Sequence, residues 1–231
     1  MLVAHRGFRS KTGENRMIDF IEALKICKAV EFDIRMTKDK QIIIFHDHNL
    51  KRIAGINKTI RSLTYDELKN LDFFVKNPDW VPAHFIDDFA KKISKKYIMI
   101  NVEIKPDRYT DLEYKSIKEA LDILRKSTTA EIIVSSFSHS TLKWISQFGK
   151  DFKKGYLMEK PSEYDPNLIK GFDYLHPYVG SLKRSSEFYL NINLPMNIWT
   201  FKKNEDVTII KSIYPKKLLN AFISDKKDLK I

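Results

Sequence analysis

Two histidines, three acids and two cations of this chain have the types and spacing needed to hydrolyse a phosphodiester. They are His5, Arg6, Glu31, Asp33, His46, Glu103 and Lys105. Two imidazoles can deprotonate a nucleophile and protonate a leaving oxygen, because the ordinary pKa of histidine lies near neutral pH. Three carboxylates are hard oxygen ligands for a divalent cation, and an arginine and a lysine can neutralise phosphate oxygens.

The acids point to a metal site. Glu31 and Asp33 alternate along a predicted strand, so both project to one face while the apolar residues between them project to the other. Taken alone, this pair would also fit a strand that faces solvent. Glu103 repeats the pattern on a later strand, and three inward acids repel one another unless a cation lies between them. Oxygen ligands favour one divalent cation, Mg²⁺ or Ca²⁺, and the single cysteine, Cys27, argues against a thiolate zinc site.

The two histidines, Arg6 and Lys105 lie at the C-terminal ends of predicted strands. A lone histidine there is often a hydrogen-bonded structural group, but His5 and His46 share the predicted face of the acids, so we expect an acid/base pair. Arg6 offers a planar fork and Lys105 a point charge for the phosphate oxygens. Trp199, on a strand near the C-terminus, is expected to wall the substrate pocket, with a core aromatic as the alternative.

Alternating strands and helices would position these residues. Strands are predicted over residues 2–5, 30–34, 42–45, 98–104, 131–137, 154–158, 172–176, 197–201 and 219–224. Strand 42–45 follows its predecessor too closely for a parallel crossover, so the two should form a hairpin. A turn at Asp39-Lys40 would place Asp33 opposite His46. Without the hairpin strand, eight strands alternate with helices, which predicts an α/β fold, a TIM (β/α)₈ barrel with its site at the C-terminal strand ends.

A small insertion interrupts this alternation at about residues 48–85, after the second strand and its hairpin. It contains a short helix with a capping box, Thr64 and Glu67. Its aromatic residues either line an apolar lip for the leaving alcohol or form a small core of the insertion itself. They are Phe73, Phe74, Trp80 and Phe85. No linker or repeat divides the chain, so we expect residues 1–231 to form a single domain.

Composition indicates a globular protein with an excess of positive charge. The 231 residues are 43% hydrophobic, and 41 Lys+Arg against 30 Asp+Glu give +11. Such an excess suits polyanions, yet the lysines are scattered in short pairs, which is typical of a solvated surface and argues against specific nucleic-acid binding. Weak association with an anionic membrane is expected at most. No apolar run could span a bilayer and none near the start resembles a signal peptide, so we expect a cytoplasmic protein.

These motifs resemble the glycerophosphodiester phosphodiesterase family. The matching pieces are His5-Arg6-Gly7, Glu14-Asn15, Glu31-Phe32-Asp33-Ile34, Phe45-His46-Asp47 with Leu50 and Arg52, Glu103-Ile104-Lys105, Ser136-Phe137, Trp199-Thr200 and Ser224-Asp225. The resemblance implies a barrel with a small insertion and a divalent cation held by Glu31, Asp33 and Glu103. It also implies an acid/base pair at His5 and His46. The implied reaction converts a glycerophosphodiester, such as glycerophosphocholine, and water to sn-glycerol 3-phosphate and an alcohol.

Three other functions stay open at this point. The same residues could act as a lysophospholipase D on a lipid with one acyl chain, which an exposed apolar groove in the insertion would favour. A catalytically inactive barrel could bind phosphorylated metabolites, although two histidines beside a metal site argue against it. Non-specific nucleic-acid binding would require one continuous basic face.

Overall fold

Eight parallel strands close into a barrel, and one short antiparallel strand pairs with the C-terminal end of the second strand. The computed structural model covers residues 1–231. The strands are β1 Leu2–His5, β2 Ala29–Met36, β3 Ile42–Ile44, β4 Met99–Ile104, β5 Glu131–Ser136, β6 Lys153–Met158, β7 Tyr174–Pro177, β8 Met196–Phe201 and β9 Leu219–Ser224. Their order is β1-β9-β8-β7-β6-β5-β4-β2-β3, and β1 pairs with β2 to close the barrel. The predicted (β/α)₈ barrel is confirmed, with strand ends within two residues of those predicted.

The alternation of side chains along each strand separates two apolar regions. Outward residues of β2, such as Val30 and Phe32, are buried in the main core between the strands and the surrounding helices. Inward residues near the strand starts form a smaller cluster inside the barrel, which includes Val3, Met99 and Ile133. Inward positions nearer the C-terminal strand ends hold polar residues, as expected for the end of a barrel that carries the active site.

Most of the helices alternate with the barrel strands, and three short ones belong to the insertion. They are α1 Met17–Ala23, α2 Lys51–Ala54, α3 Tyr65–Lys69, α4 Asp72–Lys76, α5 Asp111–Ser127, α6 His139–Ile145, α7 Val179–Arg184, α8 Ser186–Ile192 and α9 Asn204–Ile213. The backbone sets the boundaries of two of these helical segments. The first begins at Met17, because Asn15 adopts a left-handed backbone (φ 58°) and Arg16 is extended. The helical segment before β8 is divided at Ser185 into α7 and α8. No helix is both long and apolar enough to cross a bilayer.

The β2–β3 hairpin differs from its predicted register. Arg35 pairs with Ile43, so paired positions are shifted by one residue and Asp33 does not face His46. The prediction was wrong because it assumed a two-residue turn. The backbone N–H of Thr37 donates to the carbonyl of Gln41, and Lys40 between them adopts a left-handed conformation (φ 64°). A three-residue loop with a left-handed third residue is another common hairpin connection, and it changes the register by one.

The insertion has a small core of its own. The capping box at the start of α3 is present, since Thr64 accepts from the N–H of Glu67 and the Glu67 carboxylate accepts from that of Thr64. Phe74 is fully buried, and Phe73 and Trp80 pack against the same cluster. Phe85 instead belongs to the main core. The aromatic residues of the insertion therefore form core rather than an exposed apolar lip.

Candidate active site

The three predicted metal ligands come together at the C-terminal end of the barrel. Asp33 on β2 lies opposite Glu103 on β4, and Glu31 is two residues earlier on β2. One ligand oxygen of each lies within 4.8 Å of the other two, and all three side chains are buried. Alternation along two adjacent parallel strands thus produces a compact cluster of carboxylates.

This cluster contains more negative than positive charge. Arg6 Nε lies 2.9 Å from Asp33 Oδ2, and Lys105 Nζ lies 2.6 Å from Glu103 Oε1 and 3.5 Å from Asp33 Oδ1. Glu31 Oε2 lies 3.8 Å from His5 Nε2 and accepts from the backbone N–H of Arg6 at 3.3 Å, but no lysine or arginine side chain pairs with it. Asp33 Oδ1 is buried and accepts no hydrogen bond, and the nearest cation, Lys105 Nζ, is 3.5 Å away. A buried carboxylate oxygen without a hydrogen bond, beside two further carboxylates, belongs to a donor set that fits a divalent cation.

The pKa values reflect the same imbalance. Burial raises the pKa of Glu31 well above its ordinary 4.5, and the charges of Asp33 and Glu103 raise it further. Burial also raises the pKa of Glu103, against the opposing charge of Lys105. Asp33 behaves differently: although burial favours its neutral form, Arg6 and Lys105 hold its pKa well below the usual range. A cation bound between these carboxylates would offset the repulsion of Glu31 by Asp33 and Glu103.

His5, the last residue of β1, is oriented by an acid from the opposite end of the chain. Its Nδ1 lies 2.5 Å from Oδ1 of Asp225, which directly follows β9. Its Nε2 therefore faces the carboxylate cluster, where Glu31 lies. Burial lowers the pKa of His5, and the hydrogen bond to Asp225 partly offsets this. The ring is held in place with one nitrogen directed at the site.

The segment after β1 turns sharply and brings Arg6 back over Asp33. Arg6, Gly7 and Phe8 all have left-handed backbones, with φ of 51°, 76° and 66°. A Cβ on Gly7 would lie 2.7 Å from that of Asp19, so only glycine fits at this position. The Arg6 guanidinium is buried, and the charges of the acids around it raise its pKa.

His46 belongs to a network of ion pairs that reaches the metal cluster. Its Nδ1 lies 2.6 Å from Asp47 Oδ1. Arg52 on α2 donates both to Asp47, at 2.7 Å, and to Glu14, at 2.7 and 3.0 Å. Glu14 in turn accepts from Arg6 at 3.0 Å. These cations lower the pKa of Glu14 to about 2, so it is a carboxylate at any ordinary pH.

A single cavity of about 420 Å³ opens above these groups. The predicted site residues that line it are His5, Arg6, Glu31, His46, Glu103, Lys105 and Trp199. Asp33 is fully buried behind Arg6 and Lys105. Trp199 forms part of the wall, and its Nε1 donates to the carbonyl of His176 at 2.9 Å. The structure therefore brings every predicted site residue to one end of the barrel.

Four residues of the site had no predicted role. Asp225 binds His5, Glu14 and Arg52 join His46 to Arg6, and the amide of Asn15 donates to Asp33 Oδ2 at 2.8 Å. The last contact depends on the left-handed backbone of Asn15, which aims its side chain inward. All four lie in the motifs that carry the family resemblance, so a signal for them was present.

A parallel barrel with three carboxylates, two histidines and two cations around one cavity defines a phosphoester hydrolase of the TIM-barrel class. A model described as the glycerophosphoryl diester phosphodiesterase family matches residues 5–213. The chain therefore belongs to this family. The predicted family, fold and enzyme class are confirmed, while the roles of individual residues stay predictions.

Known relatives agree with this assignment along nearly the full length. A glycerophosphodiester phosphodiesterase of Caldanaerobacter subterraneus subsp. tengcongensis is 27% identical over 222 residues, 90% of this chain and 88% of that protein. The crystal structure of such an enzyme from Thermotoga maritima has a TM-score of 0.73 at 24% identity, covering 99% of this chain and 95% of that one. An Oleispira antarctica phosphodiesterase in complex with the product sn-glycerol-3-phosphate gives 0.79 at 22% identity, covering 97% and 92%. Both structures share the fold.

Proposed function

We propose that this enzyme hydrolyses glycerophosphodiesters to sn-glycerol 3-phosphate and an alcohol, with a divalent cation and an acid/base pair of histidines. The observation that carries the proposal is the meeting of Glu31, Asp33 and Glu103 with both histidines around one cavity. The product bound to the Oleispira antarctica phosphodiesterase supports the choice of substrate.

Glu31, Asp33 and Glu103 would hold the cation, Mg²⁺ or Ca²⁺. Carboxylate oxygens suit both ions. When bound, the ion supplies a positive charge that polarises the phosphoryl oxygens. Arg6 and Lys105 contribute further positive charge beside the same oxygens, and both are already fixed by their ion pairs to Asp33 and Glu103.

His5 is the proposed base. In this proposal Nδ1–H donates to the Asp225 carboxylate, which leaves a lone pair on Nε2 directed into the cavity. Burial lowers the pKa of His5, so the ring stays neutral and can take a proton from the attacking hydroxyl. The nucleophile is water or the neighbouring hydroxyl of the glycerol, and its oxygen forms the new bond to phosphorus.

His46 is the proposed acid. It also lines the cavity, and Asp47 holds its ring through the 2.6 Å contact at Nδ1. As the bond between phosphorus and the leaving oxygen breaks, His46 gives that oxygen a proton, and the alcohol departs neutral. When water attacks, glycerol 3-phosphate forms directly and solvent restores the two histidines. When the glycerol hydroxyl attacks, a cyclic phosphate forms. Water then opens it, with His46 taking the proton of the water and His5 returning one to the departing ring oxygen, so both histidines regain their starting states.

The test is hydrolysis by purified protein. Glycerophosphodiesters are incubated with Mg²⁺, Ca²⁺ or EDTA, and the released glycerol 3-phosphate is measured. We expect metal-dependent activity that falls about 10²- to 10⁴-fold in His46→Ala. His139→Ala is the matched control, because His139 is exposed and outside this cavity. Absence of cleavage with every metal would instead favour a barrel that only binds phosphorylated metabolites.

A further inference from the structure

One side of the cavity carries lysines that the proposed reaction does not use. Lys202 and Lys203 directly follow β8, line the cavity, and are exposed without a carboxylate partner. Lys183 on α7 also lines it, but its Nζ is paired with Asp206 at 2.5 Å. Two positive charges at the mouth are therefore free to meet an anion.

This basic side continues outward from the mouth. A second, open groove of about 780 Å³ shares Arg9 and Lys202 with the cavity and adds Lys11 and Lys226. Arg9 forms an ion pair with Glu14, at 2.8 Å, and Lys226 pairs only with the exposed Asp228. The path from the metal cluster to solvent on this side is lined by more cations than acids.

The carboxylates around the cavity are already engaged. Glu103 is paired with Lys105, Asp206 with Lys183, and Asp225 with His5. Glu31 lies in the metal cluster. A cationic leaving group such as choline or ethanolamine would thus find no free acid here, and it would meet the uncompensated charges of the lysines.

The aromatic wall does not provide a substitute for an acid. The face of Phe137 is covered by Lys105, whose Nζ lies 5.7 Å from the ring centre. Trp199 packs against Phe137 and Tyr178, with ring centres 5.4 and 5.2 Å apart. The charge of Lys105 beside Phe137 would repel a second cation at this wall.

We infer that the enzyme prefers glycerophosphodiesters whose leaving alcohol carries a second phosphate. This inference rests on the proposed function. Arg6 and Lys105 neutralise the phosphate that is cleaved, and the glycerol moiety is uncharged, so the free charges of Lys202 and Lys203 remain for an anion carried by the leaving alcohol. An alcohol phosphate places a doubly charged group there, whereas a neutral alcohol makes no use of the two lysines.

The test compares kcat/KM for three substrates that differ only in the leaving group. They are glycerophosphoglycerol carrying a terminal phosphate, glycerophosphoglycerol, and glycerophosphocholine. We expect a preference of about 10-fold for the first over the second, and a larger one over the third, as two partly exposed ion pairs would give. The preference should shrink as NaCl rises from about 50 to about 300 mM, because salt screens exposed charges.

The double variant Lys202→Ala/Lys203→Ala should reduce this preference to within about 2-fold. Lys216→Ala/Lys217→Ala is the matched control and should keep it: these lysines are also adjacent and exposed, but they precede β9 at the opposite end of the barrel. Lys202→Gln/Lys203→Gln serves as a second variant that keeps side-chain length. Equal or better use of glycerophosphocholine, or a preference retained in both variants, would overturn the inference and leave the proposed function intact. Hydrolysis of none of the three would overturn both.

Discussion

At the residue scale, each of the two histidines is held by a carboxylate through Nδ1. Asp225 binds His5 at 2.5 Å, and Asp47 binds His46 at 2.6 Å. A carboxylate at one ring nitrogen fixes the tautomer and the ring orientation, so the other nitrogen faces the cavity in a defined state. The acids therefore decide which nitrogen exchanges protons with substrate, although they do not touch it.

Asp225→Asn should lower kcat about 100-fold and change KM little. An amide in place of the carboxylate can donate to Nδ1, which moves the ring proton to Nε2 and removes the lone pair that the base needs. Phosphate binding is not affected, because Arg6 and Lys105 remain in place. Steady-state kinetics checks this, with Asp228→Asn as control, since Asp228 is exposed and pairs only with Lys226. An unchanged kcat in Asp225→Asn would contradict the positioning role.

The sequence predicts some of these residues better than others for a simple reason. Glu31, Asp33 and Glu103 are readable because alternation along a strand tells which side chains share a face, and neighbouring parallel strands bring those faces together. Asp225 lies 220 residues from His5. Only closure of the barrel, which pairs β1 with β9, makes them neighbours, and no local pattern encodes that contact.

At the scale of elements, one arginine of the insertion, Arg52, forms ion pairs with two acids of the site. Arg52 on α2 contacts Asp47 and Glu14 at the same time, with both carboxylates within 3.2 Å of its nitrogens. The planar guanidinium can bridge two acids in this way, and a lysine cannot. Its position links the insertion both to His46, through Asp47, and to Arg6, through Glu14.

Arg52→Lys should reduce kcat/KM about 10- to 100-fold, mainly through kcat. The change keeps the charge but loses the bridge, so Asp47 no longer holds His46 in one orientation. Arg61→Lys is the control: Arg61 also belongs to the insertion and forms two ion pairs, but to Asp107 and Glu113. Similar losses in both variants would mean that the insertion matters only as a folded unit. A loss confined to Arg52→Lys would support the link to His46.

The hairpin shows where prediction of elements from sequence ends. Both strands were readable from their composition, and their antiparallel pairing followed from the short connection between them. Their register could not be read from composition, because it depends on whether Lys40 adopts a left-handed backbone. That conformation is set by hydrogen bonds around Thr37, whose hydroxyl contacts Asp39 and accepts from the N–H of Gln41. Lysine has no intrinsic preference for it, so composition gives no signal.

At the scale of the whole molecule, the excess of positive charge surrounds a cluster with the opposite balance. The chain carries +11, yet its buried centre holds three carboxylates and only Arg6 and Lys105 beside them. Without a bound cation, Glu31 is the carboxylate left uncompensated, and its pKa is raised for that reason as well as by burial. The folded state therefore binds a proton at Glu31 more readily than the unfolded state. Metal-free stability should fall as pH rises from the ordinary pKa of 4.5 through the raised value.

Glu31→Gln should therefore raise stability without metal and reduce the stabilisation that metal provides. In EDTA at about pH 8, the variant should be about 1–3 kcal/mol more stable than wild type, because it removes a buried unpaired charge. With Mg²⁺ or Ca²⁺ at about 100 times the dissociation constant, wild type should gain about 2.7 kcal/mol and the variant much less. Urea unfolding measures both values, and Glu119→Gln, a change on the exposed side of α5, is the control. An equal gain in stability in both proteins when metal is added would show that Glu31 is not a ligand. The measurement needs no substrate, so it tests the metal site independently of the reaction.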